Sequence, residues 1–213
     1  QNGQEQLASL SQYLTDVDQL LAEPEVAMIV MPEIYRLPDP LNDPYILLAQ
    51  VAARTDTTLD RQIITTLPLI EMGMNAARQW AELRRQQLTT GSARSVAVYQ
   101  PWLDVKNPLG GVIEPLRRVP PVGHVAGLIS RLDRERGAHH TPANAVLFDA
   151  VDTSQAYSSF EQGSLVESGL NPIRCRQGRG LEIWGGRTLA DRRINPEGLY
   201  LAHRRLIHRL VRA

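Results

Sequence analysis

The stretch LNPIRCRQGRGLEIWGGRTL, Leu170–Leu189, decides how this chain is read. Two short β-type runs stand in it, Pro172–Cys175 and Gly180–Trp184, joined by the tight basic turn Arg176-Gln177-Gly178-Arg179. Gly185-Gly186-Arg187-Thr188 closes the second run. β-branched and aromatic residues bounded by glycines predict a hairpin or a pair of adjacent strands. Cys175 falls inside the first run, which predicts a buried, inert thiol.

Outward from this stretch, apolar runs alternate with helical patterns. Gln4–Ala22 spaces Leu7, Leu10, Leu14, Val17, Leu20 and Leu21 at helical intervals and stops at Glu23-Pro24. Strand-type runs follow at Glu25–Met31, Arg61–Leu67, Ser95–Gln100 and Ala145–Ala150. Helices are predicted from Pro44 to about Arg54, over Ile70–Leu88 with a solvent-facing polar tail at residues 84–87, over Val122–Arg136 and over Thr153–Glu167. Gly123, Ala126 and Gly127 give the helix at 122 a small-residue entry suited to close packing. A last helix is expected to start at Pro196 under an Asn195 cap, with Leu199, Ala202, Leu206, Ile207, Leu210 and Val211 as its apolar stripe and Arg204, Arg205 and Arg209 off it. The prolines and paired glycines between Asp104 and Val119 predict a loop, part of a Pro/Gly-rich protrusion at about 104–121.

Alternating strands and helices predict an α/β fold, a central mixed β-sheet flanked by helices, with residues 1–213 as a single domain. The hairpin makes the sheet mixed and not purely parallel. Val26, Met28, Val30, Val96, Val98, Val146, Phe148, Ile173 and Ile183 are the expected buried strand residues.

Composition narrows the function. With 213 residues the chain is long enough for a real core. Lysine plus arginine and aspartate plus glutamate are balanced at 23 each, which speaks against a general nucleic-acid binder and removes a barrier to self-association. Lys106 is the one lysine among 22 arginines, and arginine is favoured where planar bidentate pairs form across interfaces. A single cysteine excludes an intramolecular disulfide and a multi-cysteine metal site. No run approaches a membrane span, and no charged-then-apolar leader opens the chain.

The chain carries no recognisable catalytic pattern. Gly110-Gly111 does not open a helix, Gly178-Arg179-Gly180 leads into a strand, and Gly123–Gly127 matches no phosphate loop. Of the histidines, His139 and His140 are adjacent and expected to point apart, and His203 and His208 fall on different helix faces; His124 stands alone. Nothing around Cys175 resembles a protease nucleophile. No catalytic residue, cofactor or metal is expected. The alternative is a soluble α/β enzyme or ligand-binding domain whose site residues are dispersed along the chain.

A second stretch, VPPVGHVAGLISRLDRERGAHHTPAN at Val119–Asn144, joins the first. Pro120, Pro121, Gly123, Val125, Ala126 and Gly127, then Asp133 and Gly137, then Pro142, Ala143 and Asn144 resemble, in order, a motif series of contractile tail sheath proteins. Upstream, SVAVYQPWL at Ser95–Leu103 looks like the strand and Tyr-x-Pro-Trp signature of that family. The Asn-Pro-Ile-Arg run, the Gly-Arg-Gly turn and the Trp-Gly-Gly-Arg-Thr exit of 170–189 resemble it as well. Ala138-His139-His140 departs where the family often has an aromatic or basic pair. The likeness is dense from Ser95 onward and thin before it, where Glu25–Pro32 resembles a sheath strand.

This resemblance implies a structural subunit of a phage tail, tailocin, extracellular injector or type VI secretion machine. Its partners would be copies of itself in a helical sheath, an inner tube protein, and baseplate or terminator proteins, with no nucleic acid and no membrane span. It would be made in the cytoplasm and reside in the assembled particle. Neighbouring subunits would be linked by arms that add strands to a sheet. The interface candidates are Asn171, Pro172, Ile173, Arg174, Arg179, Gly180, Ile183, Trp184 and Arg187, with Ile173 and then Ile183 expected on the receiving edge. Gln1 in place of methionine, and the end at Ala213, suggest a fragment without arms, monomeric or weakly associated by itself.

Overall fold

A computed structural model describes residues 10–23, 28–31, 44–57, 62–67, 73–88 and 91–202. Strands β1 (Met28–Met31), β2 (Gln62–Thr66), β3 (Val96–Gln100), β8 (Leu170–Arg176), β9 (Gly180–Ile183) and β6 (Val146–Leu147) form one six-stranded sheet in that spatial order. The first four run parallel, whereas β9 is antiparallel to both β8 and β6. The sheet is therefore mixed, and helices flank it.

Burial on both faces explains the apolar strands. Ile63, Val96, Val98 and Leu170 turn to one side, where they pack with Val17 of α1 (Leu10–Ala22), Val51 of α2 (Pro44–Thr57), Trp80 of α3 (Met74–Gln87) and Leu165 of α5 (Ser159–Glu167). Ile64, Ala97, Tyr99, Ile173 and Ile183 turn to the other and meet Val125, Ile129 and Leu132 of α4 (Val122–Arg136). Every residue of β2 and β3 is buried, as expected of parallel strands covered on both faces. The hydroxyl of Thr66 donates to Tyr99 O at 2.7 Å and the indole of Trp102 to Leu67 O at 2.9 Å, so buried polar groups also tie these strands together.

The segment expected as loop is a second sheet. β4 (Leu103–Lys106) pairs with β5 (Leu116–Val119) on one side and with β7 (Asp152–Thr153) on the other. The prolines and glycines are confined to its tip, closed by Asn107 N donating to Pro115 O at 2.8 Å, and leave the flanks free to pair. Leu109, Val112 and Ile113 on this tip are over 90% exposed.

Several expectations are corrected at their edges. The run at 145–150 bonds to β9 through Ala145, Val146 and Leu147 and then leaves it; Asp149 takes φ 61° and Phe148 lies outside, 61% exposed, under the guanidinium of Arg131. Val146 and Met28 are half-buried and Val30 is exposed, while Val26 lies outside the described residues. α5 starts at Ser159 and not Thr153, because Ser158 and Glu161 form a reciprocal cap there. Asn195 caps a turn, accepting from Gly198 N at 3.0 Å, and the helix begins only at 201. Residues 204–211 of the expected stripe lie outside the described residues, as do 4–9 of the first helix.

Three side-chain expectations also change. Gly123 and Gly127 lie exposed, with open space where a Cβ would stand, so α4 packs through its large residues. Arg84 in the supposedly solvated tail of α3 is buried against Trp80. The rings of His139 and His140 are 4.4 Å apart and do not diverge.

Candidate assembly site

The β8–β9 hairpin is anchored by one amide. Asn171 is fully buried; its Nδ2 donates to Val98 O at 3.1 Å and Arg187 O at 2.8 Å, and its Oδ1 accepts from Arg187 N at 2.7 Å. The side chain thereby joins β8 to β3 and to the segment leaving β9. Gly185, at φ +122°, keeps that segment close, since a Cβ there would come within 3.1 Å of Asn171 Oδ1. A Cβ on Gly186 would collide with Thr141 Oγ1. Thr188 is buried and donates to Gly198 O at 2.6 Å. The Gly-Gly-Arg-Thr exit is thus a buttress under the sheet.

Strand alternation divides the hairpin into two faces. Ile173, Leu181 and Ile183 enter the core against α4. Arg174, Arg176, Glu182 and Trp184 line a cleft of about 600 Å³ with Ser159, Gln162 and Arg179. Glu182, only 2% exposed, sits among three guanidiniums: Arg174 at 3.4 Å, Arg179 at 3.6 Å and Arg176 at 3.7 Å. Arg174 also stacks over the Trp184 ring at 3.8 Å.

The interface candidates therefore part company. Asn171, Pro172, Ile173 and Ile183 are interior and structural. Arg174, Arg179, Gly180 and Trp184 border or lie beside the open cleft, and Arg187 lies apart, half-buried against Tyr200. Burial pulls the Arg187 pKa below its ordinary value, with Arg85 and Arg192 adding to this and Tyr200 opposing it. Neither Ile173 nor Ile183 is on an edge: β8 lies between β3 and β9, and β9 between β8 and β6. Ile183 N already donates to Ala145 O at 3.1 Å. The outer strands are β1 and β6. Cys175 is exposed, since burial along β8 runs out past Ile173.

Sequence reasoning missed Glu182, Arg176, Gln162 and Ser159. The i, i+2 spacing of Arg174 and Arg176 and the Leu-Glu-Ile alternation at 181–183 were the signals for the first two. A larger groove of about 1170 Å³ runs beside the β4–β5 hairpin, lined in part by Val105, Leu116, Val119 and His124. Burial lowers the pKa of His124, with Asp149 opposing. Among the described residues no three His, Cys, Asp or Glu stand together as a metal site, and no helix is long and apolar enough to cross a membrane.

Residues 47–189 match the phage tail sheath protein central domain, and the chain belongs to this family. Its fold is similar to that of a chain in the baseplate of the anti-feeding prophage, at TM-score 0.70 and 24% identity over 98% of this chain and 49% of that one. It is similar also to the contracted sheath of an extracellular contractile injection system, PVC, at TM-score 0.67 and 23% identity over 91% of this chain and 47% of that one. A sheath tail protein of Desulfitobacterium hafniense shares the fold at 10% identity, with TM-score 0.61, over 100% of this chain and 44% of that one. The chain spans about half the length of these solved chains. No curated protein sequence matches it significantly.

Proposed function

We propose that this chain is the central part of a contractile sheath subunit, one folding unit that polymerises with copies of itself around an inner tube and joins a baseplate. The supporting observation is the family match, which covers both the α4 motif series and the hairpin with its Asn171 anchor. The role is mechanical: the subunit supplies a rigid core, and the stroke is a rearrangement of bistable interfaces driven by energy stored at assembly. The chain turns over no substrate and binds no nucleotide; calorimetry with ATP, GTP and NAD checks this, and micromolar binding of any of them contradicts it.

Subunits in this reading are joined by strand addition, in which main-chain groups carry the joint. The outer edge of β6, next to the hairpin, is the receiving position, where Val146 O now accepts from Arg131 Nη2 at 3.4 Å and an incoming strand would displace that side chain. Leu181 and Ile183 turn their backbone groups toward β6, and by alternation Val146 N–H points away from β9. Proline at Val146 removes that outward donor and spares the inner bonds. Well-folded Val146→Pro subunits of the complete gene product should fail to form tubes in electron micrographs. Normal tubes would place the joint elsewhere.

A further inference from the structure

Charge is polarised along this neutral chain. Residues 1–35 carry six carboxylates and no basic residue, whereas residues 173–213 carry ten arginines against three carboxylates. Both trends surface in structured elements. At the basic end, the hairpin cleft holds three guanidiniums around the one carboxylate of Glu182, a formal excess of two positive charges. The separations of 3.4–3.7 Å are longer than those of tight charge-assisted pairs, so Glu182 satisfies none of the three fully. Arg174 Nε is buried without an acceptor. The cleft is open and has polar walls in Ser159, Gln162 and Gln177. Such a site suits further carboxylates, which guanidinium forks bind in planar bidentate geometry.

At the acidic end stands α1. Asp16 within α1 and Glu23 just past its end are both exposed. α1 has no basic residue in its last turn, so its own side chains supply no cation to the negative end of the helix dipole. Asp18 pairs with Arg54 of α2 at 2.8 Å, and among the described residues no ion pair links α1 to the hairpin within one copy.

We propose that the Arg174–Arg176–Arg179 cleft receives the acidic residues of α1 and its C-terminal end from a second copy of this chain, through side-chain charge pairs. The inference rests on the sheath reading for the presence of neighbouring copies, and it adds a contact distinct from strand addition. Hairpin to α1 is a head-to-tail contact, and such contacts propagate into rings or helices instead of closing as a dimer. Its strength depends on ionic strength, because both faces are open to water.

Sedimentation velocity of the 213-residue chain at low and high salt tests it, with circular dichroism as the folding control. Arg176 and Arg179 are 51% and 64% exposed at the side chain but pair with the buried Glu182, so thermal unfolding of the reversed variant is read beside its association, and the neutral R176Q/R179Q serves as a second variant. Weak association at low salt should fall with salt, and should drop at least about tenfold in R176E/R179E and equally in D16K/E23K. An equimolar mixture of the two variants should associate again, since it restores opposite charges across the contact. Association unchanged by either reversal, no recovery on mixing, or a wild-type chain that stays monomeric at low salt overturns the inference. Tube formation by the complete gene product reports separately: wild-type tubes uphold the sheath reading whichever way the charge swap falls.

Discussion

Asn171 and Arg187 form a two-way hydrogen-bonded pair, the side-chain amide donating to Arg187 O at 2.8 Å and accepting from Arg187 N at 2.7 Å. An amide side chain here replaces a rung of backbone ladder. Asn171→Ala should cost about 2–3 kcal/mol, because it removes a partner from the buried Val98 carbonyl and from the half-buried N–H and C=O of Arg187. Asn171→Asp should cost more, since a carboxylate would face the carbonyls of Val98 and Arg187 in the interior. Denaturant unfolding of the two variants checks the order.

The reciprocal cap on α5 gives a second expectation. Ser158→Ala should cost about 1 kcal/mol of stability at neutral pH. Hydrogen bonds from the Ser158 backbone N–H and then from its hydroxyl hold the Glu161 pKa below its ordinary 4.5. The folded state therefore binds this proton less readily than the unfolded one. The carboxylate's contribution is present above the ordinary value and is lost as pH falls through the folded one. Stability of wild type and Glu161→Gln, measured from neutral pH down to about pH 3, should converge on acidification.

Sheet and hairpin were legible in the sequence because the Arg176–Arg179 turn is where the strands reverse and Leu181 and Ile183 alternate into the core. The β4–β5 sheet was hidden by its own tip: Pro108, Gly110, Gly111 and Pro115 dominate the composition, while Leu116–Val119, mostly exposed, lacks a strand's apolar face. Local pattern also could not show how far the core reaches. Cys175 follows Ile173 in the same alternation, yet one is exposed and the other buried, because β8 outruns the helices beside it. The cleft was less legible still. Arg174 and Arg179 could be named, but burial of Glu182 among them depends on α5 and the segment at Asn144 arriving from elsewhere in the chain.

The tip and the core should respond oppositely to truncation. Leu170→Ala, at a fully buried position facing α5, should cost about 2–5 kcal/mol through lost burial and a cavity. Ile113→Ser, at a site 93% exposed, should stay within about 0.5 kcal/mol. Thermal unfolding of both variants gives the comparison.

Electron microscopy of the complete gene product, purified without nucleotide, decides whether this chain is a sheath component. Rings or tubes of regular helical repeat with a central lumen are predicted. Well-folded subunits that remain dispersed across salt and protein concentration, with or without the inner tube protein, would contradict the sheath reading.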